Sequence, residues 1–422
     1  MYSKFEFSLH SALGIVLLLV DRWVNRLKKL FGCTVNAPKY IEGVNLVDNV
    51  VVITGANIGI GRETALNLAC CGATVVLGCR DIQKGMQAAK DINTYLRSTE
   101  IQRQYPFSAK GRVVFMRLNL SELTCVFEFA IKMKAEFPRV DILINNAGLN
   151  TGGTLASGLE QLFQVNYLGH YLLVRCLQSH LSAIGGENAP PCARVVNLSS
   201  VTHHTGQPDF KRSSTGTFTV AMKAKYSYYA DSKLYMNYLT LGINRRMDSA
   251  TAGGKSQRPT VAISVNPGAV RSDIWRNYPF QRIYNMIMKL IFLEVEEGCA
   301  SSVFAATVKL DALREYQQGL NSAPDIGGRF IQRADMPYAV PYKVVGSCLA
   351  HEVVGVHYGC YFSGMSLPTA QEVRASRPEV LTEDASPSRQ ATALWKYSSE
   401  LCVKDLLANG LKESDISFLL KD

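Results

Sequence analysis

The β-branched run Asn49-Val-Val-Val-Ile-Thr54 leads straight into Thr54-Gly-Ala-Asn-Ile-Gly-Ile-Gly61, and this junction restricts the fold more than any other stretch. A strand that is apolar at both odd and even positions must be covered on both faces, which a parallel sheet with helices on either side provides. The glycines that follow allow a sharp turn into a helix, whose first N–H groups have no partner within the helix and attract an anion.

Further runs of the same kind recur along the chain: Ala73–Gly78, Arg112–Leu118, Val140–Asn145, Arg194–Leu198, Val261–Val265 and Gly359–Phe362. Helical patterns lie between them at Arg62–Cys71, Ile82–Leu96, from a Ser121 cap toward Phe137, and over Gly158–Ala183. Strand and helix in alternation predict an α/β, doubly wound parallel sheet of the Rossmann type with about seven strands. Residues 41–422 read as this one domain, with insertions near 310–356 and 366–388, behind an amino-terminal segment of residues 1–40.

With 47% hydrophobic and 19% charged residues the chain is globular rather than disordered. The formal charge of +10 is scattered, and no basic helix is interleaved with base-stacking aromatics, so nucleic acid is not expected as a partner. A basic surface also serves an anionic cofactor or an anionic membrane leaflet. The 11 cysteines include no CxxC pair and no metal-ligand spacing, so no metal site is expected and the thiols read as small hydrophobes in a reducing compartment. The sequons at Asn119 and Asn197 fall at strand ends inside the expected core.

Ala12-Leu-Gly-Ile-Val-Leu-Leu-Leu-Val20 is shorter than the roughly 20 apolar residues of a spanning helix. Arg22, Arg26, Lys28 and Lys29, with Trp23 and Leu27 among them, form an interfacial flank where a signal peptide would carry small residues. The segment reads as a membrane anchor or interfacial element. The positive-inside rule then leaves the rest of the chain on the cytosolic side, and the endoplasmic reticulum or another organelle membrane is the expected location. A cleaved signal, an organelle presequence and a packing helix are the alternatives.

Tyr229-Ala-Asp-Ser-Lys233 supplies the chemistry. A tyrosine and a lysine four residues apart on a helix share one face. The ammonium favours the phenolate and draws the phenol from its usual pKa of about 10 toward working pH. Tyr226 and Tyr228 have no lysine in that register. Where an NAD-binding sheet often ends its second strand on an acid, this chain has Arg80. That arginine, with Arg62 after the glycine turn, suits a 2′-phosphate and favours NADP(H), and Asp81 leaves NAD(H) open.

Together these residues resemble the short-chain dehydrogenase/reductase family, and most of all its retinol-dehydrogenase-like, membrane-associated members. The resemblance runs over about residues 45–310 and resumes near Gly359. It implies a dinucleotide site at Thr54, Gly55, Asn57, Gly59, Ile60, Gly61 and Arg62, with Asn146, Ala147 and Gly148 closing the fourth strand. It implies Asn166 as the holder of a relay water, Ser200 as the partner of the substrate oxygen, Tyr229 as acid/base, and Lys233 as its partner and ribose ligand. Pro267 and Gly268 match the turn that packs over the nicotinamide, and Leu394-Trp395 with Ser398 and Leu401 resembles the family's carboxy-terminal helix. Two positions depart from the pattern: Asn119 replaces an aspartate that meets the adenine, and Ser272 replaces a threonine that meets the carboxamide. His203 and His204 read as solvated loop histidines.

Ile274–Phe292, rich in methionine and large apolar side chains, reads as the roof of an apolar pocket or as a core or homo-oligomer interface helix. The expected activity is NADP(H)-dependent interconversion of a lipophilic alcohol with its aldehyde or ketone, of retinoid, steroid or fatty-aldehyde type. An NAD-dependent alcohol dehydrogenase and a catalytically idle membrane scaffold are the rival readings.

Overall fold

The computed structural model describes residues 41, 43–185, 190–200, 202–203, 206, 210–212, 218–220, 227–247, 258–268, 270–272, 293–308, 352–353 and 387–420. Its strands are β1 (Val50–Thr54), β2 (Thr74–Cys79), β3 (Arg112–Arg117), β4 (Ile142–Asn145), β5 (Ala193–Leu198), β6 (Phe210–Arg212), β7 (Phe218–Val220), β8 (Thr260–Asn266) and β9 (Glu352–Val353). The longer helices are α1 (Gly59–Cys70), α2 (Ile82–Leu96), α3 (Leu123–Glu136), α4 (Gly169–Leu181), α5 (Tyr228–Met247), α6 (Ala300–Thr307) and α7 (Pro387–Ala408).

One sheet runs β3-β2-β1-β4-β5-β8-β9. The pairings from β3 through β8 are all parallel. The apolar runs explain the layering. In β1, Val50 and Val52 enter a core with α3, α4, α5 and α7, while Val51 and Ile53 enter the opposite core with α1, α2 and α6. Strand ends near β1, β4 and β5 therefore converge on one edge, where the glycine turn and the start of α5 also lie. The sheet is doubly wound, as the alternation predicted.

Local corrections follow from hydrogen bonding that no pattern displays. The expected seventh strand, Gly359–Phe362, lies outside the described residues. Glu352–Val353, from the expected insertion, takes the edge beside β8 and runs antiparallel to it. The polar stretch between Ser200 and Tyr229 contains the β6–β7 antiparallel hairpin. α1 begins at Gly59 rather than Arg62, so the second half of the glycine turn is already helical. Ser121 does not cap α3. Glu122 stands at its N-cap, and the Asn119 carbonyl side chain takes the Ser121 N–H at 3.2 Å. The helix expected from Gly158 opens on a π-helical segment, Phe163–Leu168, before α4. Glu160 accepts the Phe163 N–H at 2.8 Å ahead of it.

Among the described residues no helix is long and apolar enough to cross a membrane. Residues 1–40, the Ile274–Phe292 segment and most of both expected insertions lie outside them. Described cysteines at eight positions are free and buried, and burial pushes the Cys70 and Cys176 thiols up to about 12, where they are inert at neutral pH.

Candidate active site

The glycine turn is held from beneath by the end of β4. Thr54 Oγ1 accepts the backbone N–H groups of Asn146 and Ala147, each at 2.9 Å. The Asn146 amide donates to the Thr54 carbonyl at 2.8 Å. Gly61 presses so closely on Asn146 that a Cβ there would collide with its amide and with the Gly55 carbonyl. Gly59 has φ of 58°, a conformation that favours glycine. Ser272, from the loop after β8, approaches that same glycine: a Cβ on Gly59 would lie 3.7 Å from the Ser272 Cβ.

No side chain caps the start of α1 and its first turn holds no acid, so its N–H groups remain for an outside anion. A bare glycine-lined cradle at an uncapped helix start fits a dinucleotide pyrophosphate. Gly268 N donates to the Asn266 side chain at 3.1 Å, which fixes the turn after β8 behind Pro267.

At the end of β2, Arg80 is exposed. Asp81 is occupied as the N-cap of α2, taking the Lys84 N–H at 3.0 Å. Asn119, at the end of β3, has its oxygen committed to Ser121. Arg62 is half-buried in the first turns of α1. These residues stand outside the hydrogen-bonded set that joins the turn to α5.

That set centres on Asn166 in the π-helical segment. Its Oδ1 accepts the Leu149 N–H and its Nδ2 donates to the Leu149 carbonyl, both at 2.8 Å. Nδ2 also donates to Ser232 Oγ at 2.9 Å, and Ser232 Oγ donates to the Tyr229 carbonyl at 2.8 Å. Asn166 is thus tied to the first turn of α5. A Cβ on Gly148 would come within 3.5 Å of both Asn166 Oδ1 and Lys233 Nζ, so the Asn146–Gly148 turn passes over the pair.

α5 is anchored to the strands by polar contacts. Ser199 Oγ donates to the Lys233 carbonyl at 2.9 Å, and Asn145, Asn197 and Thr240 are joined by bonds of 2.8 Å each. Both ends of the Asn197 amide are used there, fully buried, which leaves no place for a glycan. Lys233 Nζ stands 5.6 Å from the centroid of the Tyr229 ring and donates to the Leu198 carbonyl at 3.0 Å. Burial lowers its pKa from 10.5 to about 8, which still leaves it mostly cationic at neutral pH. Ser200, in the half-buried turn after β5, has its hydroxyl oxygen on the Thr202 N–H at 3.3 Å.

Residues 49–226 match the short chain dehydrogenase family. Retinol dehydrogenase 11 of Homo sapiens is 34% identical over 265 residues, which is 62% of this chain and 74% of that protein. The Mus musculus retinol dehydrogenase 11 is 32% identical over 307 residues, 72% of this chain and 84% of its own. The chain belongs to the short-chain dehydrogenase family. Within that family it is retinol-dehydrogenase-like, and it is an NAD(P)-dependent oxidoreductase. The Pseudomonas aeruginosa RhlG/NADP active-site complex aligns over 63% of this chain and 91% of its own, at 22% identity and a TM-score of 0.44.

In this short-chain dehydrogenase site, one histidine stands differently from expectation. His203 is buried rather than solvated, and its Nδ1 donates to the Ser200 carbonyl at 2.6 Å. His204 lies outside the described residues. His170, one helical turn after Asn166, is a residue that the sequence reading did not single out, and it is fully buried against Thr54. Its signal in sequence is an ionisable residue one helical turn after the asparagine, within an otherwise apolar run. Among the described residues no group of three histidine, cysteine or acidic side chains could hold a metal.

Proposed function

We propose that this enzyme interconverts a lipophilic alcohol and its aldehyde or ketone with NADP(H), using Tyr229 as acid and base. The observation that carries the reading is the Lys233 ammonium lying 5.6 Å from the Tyr229 ring, on a helix bonded through Ser232 to Asn166. When bound, the dinucleotide supplies or accepts a hydride at the carbinol carbon. The Tyr229 hydroxyl gives its proton to the carbonyl oxygen in reduction and takes one from the alcohol in oxidation. Ser200 orients that oxygen with its hydroxyl. Lys233 favours the phenolate and holds the ribose hydroxyls, and Asn166 positions a relay to solvent. Thr54, Gly55, Asn57, Gly59, Ile60, Gly61, Asn146, Ala147, Gly148, Pro267, Gly268 and Ser272 would line the dinucleotide, with Arg62 and Arg80 toward a 2′-phosphate and Asn119 near the adenine.

The relatives' names support a lipophilic substrate, and so does the apolar Ile274–Phe292 segment. Tyr229→Phe is expected to retain NADPH binding by fluorescence and lose about a hundredfold or more in turnover with an apolar aldehyde; turnover near the wild type's would refute the assignment. Residues 1–40 attach the enzyme to a membrane in this reading. Their removal should shift it from the membrane pellet to the supernatant, and continued sedimentation with membranes would exclude that role.

A further inference from the structure

A second buried chain of hydrogen bonds enters the site from the cofactor side. His170 Nδ1 lies 2.9 Å from the Asn166 carbonyl oxygen, which can only accept, so Nδ1 carries a proton. His170 Nε2 lies 2.8 Å from Thr54 Oγ1. That oxygen already receives two N–H groups, from Asn146 and Ala147, so its own proton points to Nε2 and finds a bare nitrogen. The bonding fixes both the tautomer and the neutral state.

We propose that His170 is a positioning residue that joins the dinucleotide-binding turn to the Asn166 relay, and through Ser232 to the Tyr229 helix. The path is continuous: the Asn146 and Ala147 N–H groups, the Thr54 hydroxyl, the His170 ring, the Asn166 peptide and amide, Ser232, and the Tyr229 carbonyl. It crosses the π-helical segment, where the wide turn changes which N–H meets which carbonyl and the Asn166 oxygen takes a ring N–H. A dinucleotide that seats on the glycine turn thereby meets a proton relay already set in place. Burial and the nearby Lys233 ammonium lower the ring's pKa from 6.5 to about 4, against the Asn166 carbonyl, which favours the charged form. A second proton would put a donor on Nε2, facing a hydroxyl with no free lone pair, and break the path at Thr54.

The inference rests on the reading of Tyr229 and Asn166 given above, and its test separates the two. In the full-length enzyme, nitrogen-15 NMR, with the His170 signals identified by their loss in His170→Gln, should show a neutral Nδ1–H ring at pH 7 and down to about pH 5, with and without NADPH. A charged ring or the Nε2–H tautomer at pH 7 would overturn the proposal without reference to activity. With decanal as the probe aldehyde, His170→Phe should lower kcat about tenfold or more while the aldehyde KM stays within about threefold. His170→Gln, with one acceptor and one donor, should recover most of that loss. Thr54→Val with His170→Phe should be no slower than the slower single variant, because both break one path. Losses that multiply, or a His170→Phe enzyme with lowered Tm and unchanged kcat, would reduce His170 to core packing. Turnover surviving in Tyr229→Phe would instead sink the underlying assignment.

Discussion

Arg80 and Asp81 are adjacent and opposite in charge, and each alone would point to a different cofactor. The carboxylate is engaged as a helix cap, accepting the Lys84 N–H at 3.0 Å, while the guanidinium is exposed, and in the NADP(H) reading proposed above it is the group that would meet a 2′-phosphate. Arg80→Ala is therefore expected to raise the KM for NADPH about tenfold while that for NADH moves less than about twofold. Equal effects on the two cofactors would remove the phosphate role. The arginine was legible in the sequence because strand register places it. The direction of Asp81 was not, since a cap forms only once the helix start is fixed. His203 shows the same limit: a loop histidine in the sequence, it is buried because its ring N–H found the Ser200 carbonyl.

At the scale of elements, the six parallel strands were legible to within a residue or two, since a run buried on both faces announces itself locally, whereas β6, β7 and β9 were not. Helix starts were less so. α1 absorbs two glycines that read as turn, and a π-helical segment precedes α4 where the pattern shows only a helix. The start of β4 carries a device that the pattern did not mark. Asp141 is fully buried and accepts from Arg258 at 2.6 Å, from Arg139 at 2.9 Å and from the Val50 N–H at 2.8 Å. Removing one member of such a cluster strands a buried charge. Asp141→Ala is expected to cost about 3–5 kcal/mol in urea unfolding. Because the residue precedes β4 and the site lies beyond its end, the folded fraction should keep its kcat; a loss of kcat at unchanged stability would contradict this.

Across the whole molecule, the carboxy-terminal helix folds back on the layer that carries the site. Tyr167, next to Asn166, bonds Ser398 of α7 at 2.8 Å. Trp395 meets Tyr171 edge-on at 5.0 Å and lies under the guanidinium groups of Arg246 and Arg175 at 4.6 and 5.3 Å. Trp395→Ala should cost about 3–5 kcal/mol, read by thermal or urea unfolding, and a shift within experimental error would show that α7 is only loosely held. The sequence by itself determined the sheet, the glycine turn and the Tyr229/Lys233 register, because each is written in neighbouring residues whose periodicity sets which way they face. Only the tertiary structure decided that Thr54 meets His170 across 116 positions, that Asn166 meets Ser232 across 66, and that the edge strand runs antiparallel. The physical reason is that a hydrogen bond is short and directional, so its partner is chosen by where the chain returns in space and not by distance along it.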